Sequence, residues 1–327
     1  MLKINKYSLI KNAAVLGVAS LSLSLIATSS SFSDGHIYGE NNPVTVKGYK
    51  GSKTDSTAYT GQMARQLQHN SLKKIVSKGN PSDPTSNTLN KMLNYFENKD
   101  KTKSMAILDP KSSSKFPVKQ KMVGEISTGS NLAGKADGRV QLSWPNNMTG
   151  ADVIRFMIKK ASKISGGVDM KNGMNYPQLI SKYTMGAVLY HQACDNYLDE
   201  KMTASNKPND KPYKKGAYYT GKEHSWDEAF GYWGAAAHTM TLSAQQSYDV
   251  AKKKDLKAAD FNKDGVVDLY KEMTYGHAYY ASAFDRGGKT DYLKTVTKAF
   301  IDGRKIITNA NGEKLSSSDL TKVQDLA

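Results

Sequence analysis

The sequence predicts an all-α fold, a helix bundle interrupted by one irregular insertion over about 102–145. Two features carry that prediction. Apolar residues recur at helical spacing in most stretches beyond residue 60, the pattern of amphipathic helices rather than of alternating strands. Hydroxyl and carboxylate residues stand three apart just ahead of two of these runs, at Thr149-Gly150-Ala151-Asp152 and Thr220-Gly221-Lys222-Glu223. Such pairs satisfy the free N–H groups of a helix start from both sides. The insertion differs in composition, rich in serine, glycine and lysine, and only 123–126 and 139–142 read as brief strands within it.

Taken in order, the first residues carry Lys3, Lys6 and Lys11 ahead of an apolar run from Ala13 to Ala27 and a serine-rich stretch to Ser33. This is the pattern of a secretory signal peptide over 1–33, cleaved near Ser33, so the mature protein is expected to be periplasmic or secreted, with no transmembrane segment. Residues 34–55 are polar and aperiodic and read as a flexible, extended lead-in. A helical domain is expected over 56–315. Its first helix runs from Gly61 to about Lys78 behind a Thr60 cap, with Met63, Leu67, Leu72, Ile75 and Val76 inward, and a short helix follows over 88–98. Beyond the insertion, Thr149 opens a helix to about Ser165. Val168 to Gly173 form a turn-rich loop, and Pro177 at a first helical position opens a long helix to about Lys201. On that helix Ile180, Thr184, Ala187, His191, Cys194 and Leu198 form one stripe. The next helix starts at Gly221 and is expected to continue to about Lys254. Two more helices follow, and Ser316 caps a tail over 316–327 that reads as frayed or as part of a longer chain. Tyr-Thr-Gly opens a helix at both 59–61 and 219–221, a trace that two related bundles would leave.

Composition limits the function classes. Cys194 is the single cysteine, so no intramolecular disulfide can form despite the oxidising destination. The formal charge of +16 falls to +13 when the three leader lysines are removed. That balance favours anionic partners such as a cell-envelope component or surface polymer. The lysines are dispersed, with no arginine and lysine cluster interleaved with aromatics, so nucleic acid is not an expected partner. No nucleophile elbow, phosphate loop or dinucleotide fingerprint is present.

Two constellations could carry chemistry. The stretch 223–234 holds two of the three tryptophans and the group His224, Asp227 and Glu228. An imidazole and a carboxylate at i and i+4 share a helix face and make half of a site for a divalent transition metal, with His191 or His277 on another helix as a further donor. The same acids could simply favour the positive end of the helix. The second group is Asp260-Phe261-Asn262-Lys263-Asp264-Gly265-Val266-Val267-Asp268. Oxygen donors at positions 1, 3, 5 and 9, glycine at 6 and the Val266 carbonyl at 7 match a Ca2+ loop. The departure is at position 12, where Lys271 stands and Glu272 comes one residue late. Without an ion the same residues would make an ordinary Asx-rich turn.

Several motifs together carry a resemblance. Tyr59-Thr60-Gly61-Gln62 with Arg65, Tyr176-Pro177-Gln178-Leu179-Ile180-Ser181-Lys182, Met185-Gly186-Ala187, Tyr219-Thr220-Gly221, the block Glu223–Gly231, and Tyr275-Gly276-His277-Ala278 after the Asp-rich loop resemble an uncharacterised family of exported bacterial proteins. Phe300 and Gly303-Arg304 continue the order. More remotely the chain resembles imelysins, helical-bundle proteins tied to iron uptake, whose signature is Gly-x-His-x-x-Glu. Here Lys222 replaces the glycine two before His224, and Asp227 and Glu228 stand three and four after it. The resemblance implies an exported metal-binding protein acting in acquisition or sensing of iron or a similar cation, with a separate structural calcium loop and without catalysis. The residues leave two alternatives, a calcium-stabilised binding module for a surface polymer or partner protein, and a metallopeptidase using Glu228 as base.

Overall fold

The computed structural model describes residues 37–83, 86–99 and 104–327, so the leader over 1–33 lies outside the described residues, as do Pro84 and the first residues of the insertion. Among the described residues the fold is all-α: ten helices and one two-stranded hairpin. The helix α1 (Thr60–Val76) packs on α2 (Asn87–Glu97), on α4 (Tyr176–Thr184) and on α5 (Gly221–Trp233), while α3 (Gly150–Ser162) lies against α2 and α4. The helix α9 (Tyr292–Asn309) covers the other side of α5, and α10 (Ser317–Leu326) packs on α9. The helix α5 is central, with eleven of its thirteen residues buried.

Most predicted starts are found. Thr149 accepts the Asp152 amide and Thr220 the Glu223 amide, each acid reaching back to its cap residue. Asn175 caps α4 ahead of Pro177, accepting from the Gln178 amide. Between α3 and α4 the turn-rich loop is a hairpin, β1 (Val168–Asp169) paired antiparallel with β2 (Met174–Asn175). The helix α1 begins one residue early, with Tyr59 rather than Thr60 at its cap position and no side-chain cap bond. At the far end Ser316 caps α10, whose Val323 is fully buried and whose Gln324 donates to the Met202 carbonyl at 3.1 Å.

Three expectations are corrected. The helix opened by Thr220 ends at Trp233 rather than near Lys254, because Gly234 takes the left-handed conformation (φ 83°) that closes a helix. Gln66 reaches from α1 to the carbonyls of Gly231 and Tyr232, at 3.2 and 2.8 Å, and so satisfies the last turn. After a 3₁₀ turn at Thr239–Thr241, Ser243 caps α6 (Ala244–Ala251), and Asp255 caps the short α7 (Leu256–Ala259), followed by α8 (Gly276–Asp285). Residues 123–125 form a 3₁₀ turn, not a strand. Finally, α4 runs on without a break into π-helical turns at Met185–Tyr190 and Gln192–Asp199. Those wider turns shift the buried stripe from Ala187, His191 and Cys194 onto Val188, Ala193 and Tyr197.

The insertion is irregular, as expected, but it is packed. Met105, Ile107, Phe116, Val118, Val123 and Leu132 are all buried in the common core. Residues 37–58 likewise cross the bundle surface in extended form, joined by a Pro43–Asp55 bridge. Among the described residues no helix is long and apolar enough to cross a membrane.

Candidate functional site

Successive residues on α5 are rotated by about 100°, so Asp227 and Glu228 face different neighbours. Asp227 is fully buried and faces α9 and the lead-in. It accepts hydrogen bonds from Arg304 Nε at 2.9 Å, the Tyr38 hydroxyl at 2.6 Å and the Ala58 amide at 2.9 Å. Glu223, one turn earlier, closes the capping box and also accepts from Thr45 at 2.9 Å and from Arg304 Nη1 at 3.3 Å. The remaining Arg304 nitrogen donates to Ser56 at 2.7 Å. Two buried carboxylates are thus matched to one buried guanidinium, fully surrounded by donors and acceptors, and every donor from residues 37–58 ties the lead-in to α5 and α9. The two partners titrate in different senses. Burial lifts the Asp227 carboxyl to about 6 against the pull of Arg304. Burial also works against the Arg304 charge, but Asp227 and Glu223 outweigh it and hold the guanidinium above its ordinary range. The pair is ionised at neutral pH on either account, and Asp227 is committed to Arg304, Tyr38 and Ala58.

Glu228 points the opposite way, toward α1 and the π-helical turns. Gln62 donates to its Oε1 at 2.5 Å, and His224 Nε2 stands 3.7 Å from the same oxygen. The Tyr197 hydroxyl also bonds to the Glu228 carboxylate, and the His224 ring reaches the Ala58 carbonyl. The His224 ring is stacked on Tyr219 at 4.1 Å between centroids and edge-on to Tyr213 at 4.4 Å. Burial lowers its pKa, with Glu228 opposing, so the imidazole is neutral at pH 7. The predicted trio therefore divides: His224 and Glu228 are together, Asp227 is not with them. His277 lies elsewhere, bonded to the Met185 carbonyl at 3.3 Å, and His191 pairs with Asp195 at 3.0 Å. Lys222, at the position where the imelysin signature has glycine, is buried and donates to the carbonyls of Lys201, Thr203 and Asn206. It holds the 201–206 segment against the start of α5.

The Asp-rich loop is wound as its sequence predicts. Asp260 accepts from the amides of Asp264 and Gly265 at 3.1 and 2.9 Å, Asn262 from Asp264 at 2.9 Å, and Asp264 from Val266 at 2.9 Å. Gly265, at the sixth position, has φ 84°, a conformation that only glycine adopts without strain. Val267 at the eighth position is buried and forms a parallel bridge with Val118 of the insertion. Glu272 folds back across the loop, Oε1 accepting from Phe261 and Asn262 and Oε2 from Asp268 at 2.8 Å. Burial, with Asp268 and Asp260 nearby, raises its pKa. The late acid is therefore brought to the loop, but as an anchor for its amides. The remaining oxygens of Asp260, Asn262, Asp264 and Asp268 are hard donors of the kind Ca2+ prefers. Among the described residues no three His, Cys, Asp or Glu side chains are drawn together around one point as they stand.

A family model described as Domain of unknown function (DUF4856) matches residues 40–317. The chain belongs to that family. No curated protein and no solved structure matches it. The matched span includes the lead-in residues Asn42, Thr45 and Ser56 together with Glu223, Asp227 and Arg304, so all of the buried network but Tyr38 lies within the DUF4856 domain. Sequence reasoning missed Arg304 as the partner of α5, because 77 residues separate it from Asp227. It also missed Gln62, which could be read only as the last residue of a Tyr-Thr-Gly-Gln motif.

Proposed function

We propose that this DUF4856 chain is an exported binding protein, without catalysis, whose Asp260–Glu272 loop takes a structural Ca2+. The observation that carries the reading is the coil of amides around Asp260, with left-handed Gly265 at its turn and Val267 fixed to the insertion. A bound Ca2+ would use oxygens of Asp260, Asn262, Asp264 and Asp268 and the Val266 carbonyl, and would tie α7 and α8 to the insertion. Ligand binding stabilises the folded state by mass action. Calcium at 100 times its dissociation constant should therefore add about 2.7 kcal/mol, seen as a rise in melting temperature that EGTA reverses. Asp264→Ala should abolish that rise while leaving the calcium-free melting temperature little changed. An identical calcium response in wild type and variant would end this reading.

A second reading, remotely imelysin-like, places iron or a similar transition metal at His224 and Glu228. It is favoured by the 3.7 Å approach of the two groups on one face of α5. Metal analysis of the same preparations tests it. Equal iron content in wild type and His224→Ala/Glu228→Ala would remove it.

A further inference from the structure

A cavity of about 270 Å³ opens beside the Asp-rich loop, between the lead-in and the chain from Asp268 to Glu272. Pockets for drug-sized ligands run from about 300 Å³ upward, so its occupant is small. Much of the wall is aromatic. Tyr38, Tyr59, Tyr270 and Phe261 all line it, with the Tyr59 ring 5.2 Å from that of Tyr270 and 5.7 Å from that of Tyr38. A π face draws a cation toward it. The chain already places one there, since Lys271 lines the same cavity and its Nζ lies 5.5 Å from the centre of the Tyr270 ring. Lys271 is exposed and makes no ion pair among the described residues, so its side chain can swing aside.

The charges around the cavity favour the same sign of ligand. Glu40, Asp55, Asp268 and Glu272 outnumber Lys271 in the wall, and burial lowers the pKa of His238, which adds no charge at pH 7. Glu272 is committed to the amides of Phe261, Asn262 and Asp268. Asp55 and Asp268 each accept one amide through one oxygen, from Thr57 at 2.7 Å and from Tyr270 at 2.8 Å. The second oxygen of each has no hydrogen bond among the described residues, and neither has the hydroxyl of Tyr59, a residue 2% exposed. Burial raises the pKa of the Tyr270 hydroxyl, and Asp227, Asp55 and Asp268 raise it further. Both phenols therefore stay neutral and can accept from an N–H donor. We infer that this cavity binds a small primary alkylammonium, its N–H groups taken by Asp55, Asp268 and the Tyr59 hydroxyl and its charge set over the Tyr270 ring. A quaternary ammonium has the charge but no N–H to give those oxygens. The inference goes beyond the calcium reading and does not rest on it, although Asp268 belongs to both sites.

Calorimetry on the purified, exported chain in EGTA tests it, with n-butylamine as probe and 1-butanol and choline as controls. Butylamine should bind saturably, butanol not at all and choline more weakly. Asp55→Asn, at an exposed position that keeps its acceptor for the Thr57 amide, should weaken butylamine about tenfold, the loss of one charge-assisted contact. Lys271→Ala removes the ammonium that the chain itself holds over Tyr270 and should tighten butylamine about threefold. A merely structural role for Lys271 would give no such gain. Absence of butylamine binding, butanol or choline bound equally well, or an unchanged affinity in Asp55→Asn would overturn the inference. Because the titration is made without calcium, failure of the calcium reading leaves its outcome unaffected. Asp264→Ala, which does not line the cavity, should abolish the calcium response and keep the amine.

Discussion

Asp227 and Glu228 are neighbours in sequence and opposites in setting. Asp227 has three donors, a guanidinium among them. Glu228 has only neutral partners, Gln62 and Tyr197, with an imidazole at the edge of hydrogen-bond range. The first side of α5 is saturated and joins the lead-in to α9. The second faces α1 and carries no buried cation in an ion pair. Carboxylates alike in type and burial can therefore be told apart by whether the fold has paired them with a cation. The paired acid is the one whose partner cannot be removed without a large loss.

The largest effect expected is on the saturated side. Arg304→Met leaves Glu223 and Asp227 buried without their cation, and removing one partner of a buried pair costs about 3–5 kcal/mol. Urea unfolding at pH 7 should show it, and Asp227→Asn in the same background should recover part of the loss. A destabilisation below about 1 kcal/mol would mean that the network is not the lock its geometry suggests.

A pH dependence of intermediate size tests whether the comparison holds away from neutrality. His69 on α1 is fully buried, bonded to Ser181, and burial lowers its pKa to about 4. An imidazole depressed in the folded state takes up its proton first in the unfolded chain. Stability from this group is then full above pH 6.5 and is lost as pH falls toward 4, by about 3 kcal/mol at most. Asp227, raised to about 6, works in the opposite sense, its folded form taking up the proton first as pH falls through 6. His69→Phe should flatten the acid limb of the stability profile, or invert it by exposing the Asp227 contribution. An unchanged acid limb would show that His69 is not the group responsible.

The smallest effect on stability belongs to the side without an ion pair. Glu228→Gln keeps the shape and removes a buried charge that has no cationic partner, so the change should lie within about 1 kcal/mol of zero, of either sign. Thermal unfolding of that variant alongside Arg304→Met measures the contrast directly. A loss comparable to that of Arg304→Met would erase the distinction between the two sides.

Much of the fold was legible because its signals are local. The caps at Thr149 and Thr220, the proline ahead of α4 and the apolar spacing of α1 each act within a few residues. The end of α5 was missed because Ala235-Ala236-Ala237 continue a helical composition, and Gly234 stops the helix only with Gln66 from α1 satisfying its last carbonyls. The π-helical turns after Thr184 have no composition cue, and they moved the buried stripe. The site was legible only in part. The His224 and Glu228 spacing placed that pair on one face, but their partners Gln62 and Tyr197 come from distant parts of the sequence. Only the fold gathers them.

The buried network also sets an order of events. Ser56 is joined to Arg304 across 248 residues, and Asn42 to Thr308 across 266. In any process that delivers the chain from its N-terminus onward, residues 37–58 can meet Glu223 and Asp227 of α5 first, but their bonds to Arg304 and Thr308 wait until α9 has arrived. Contacts of such long separation form late. The earliest part of the DUF4856 domain to emerge is thus fully fastened only once Arg304 has joined it, with α10 still to pack on α9.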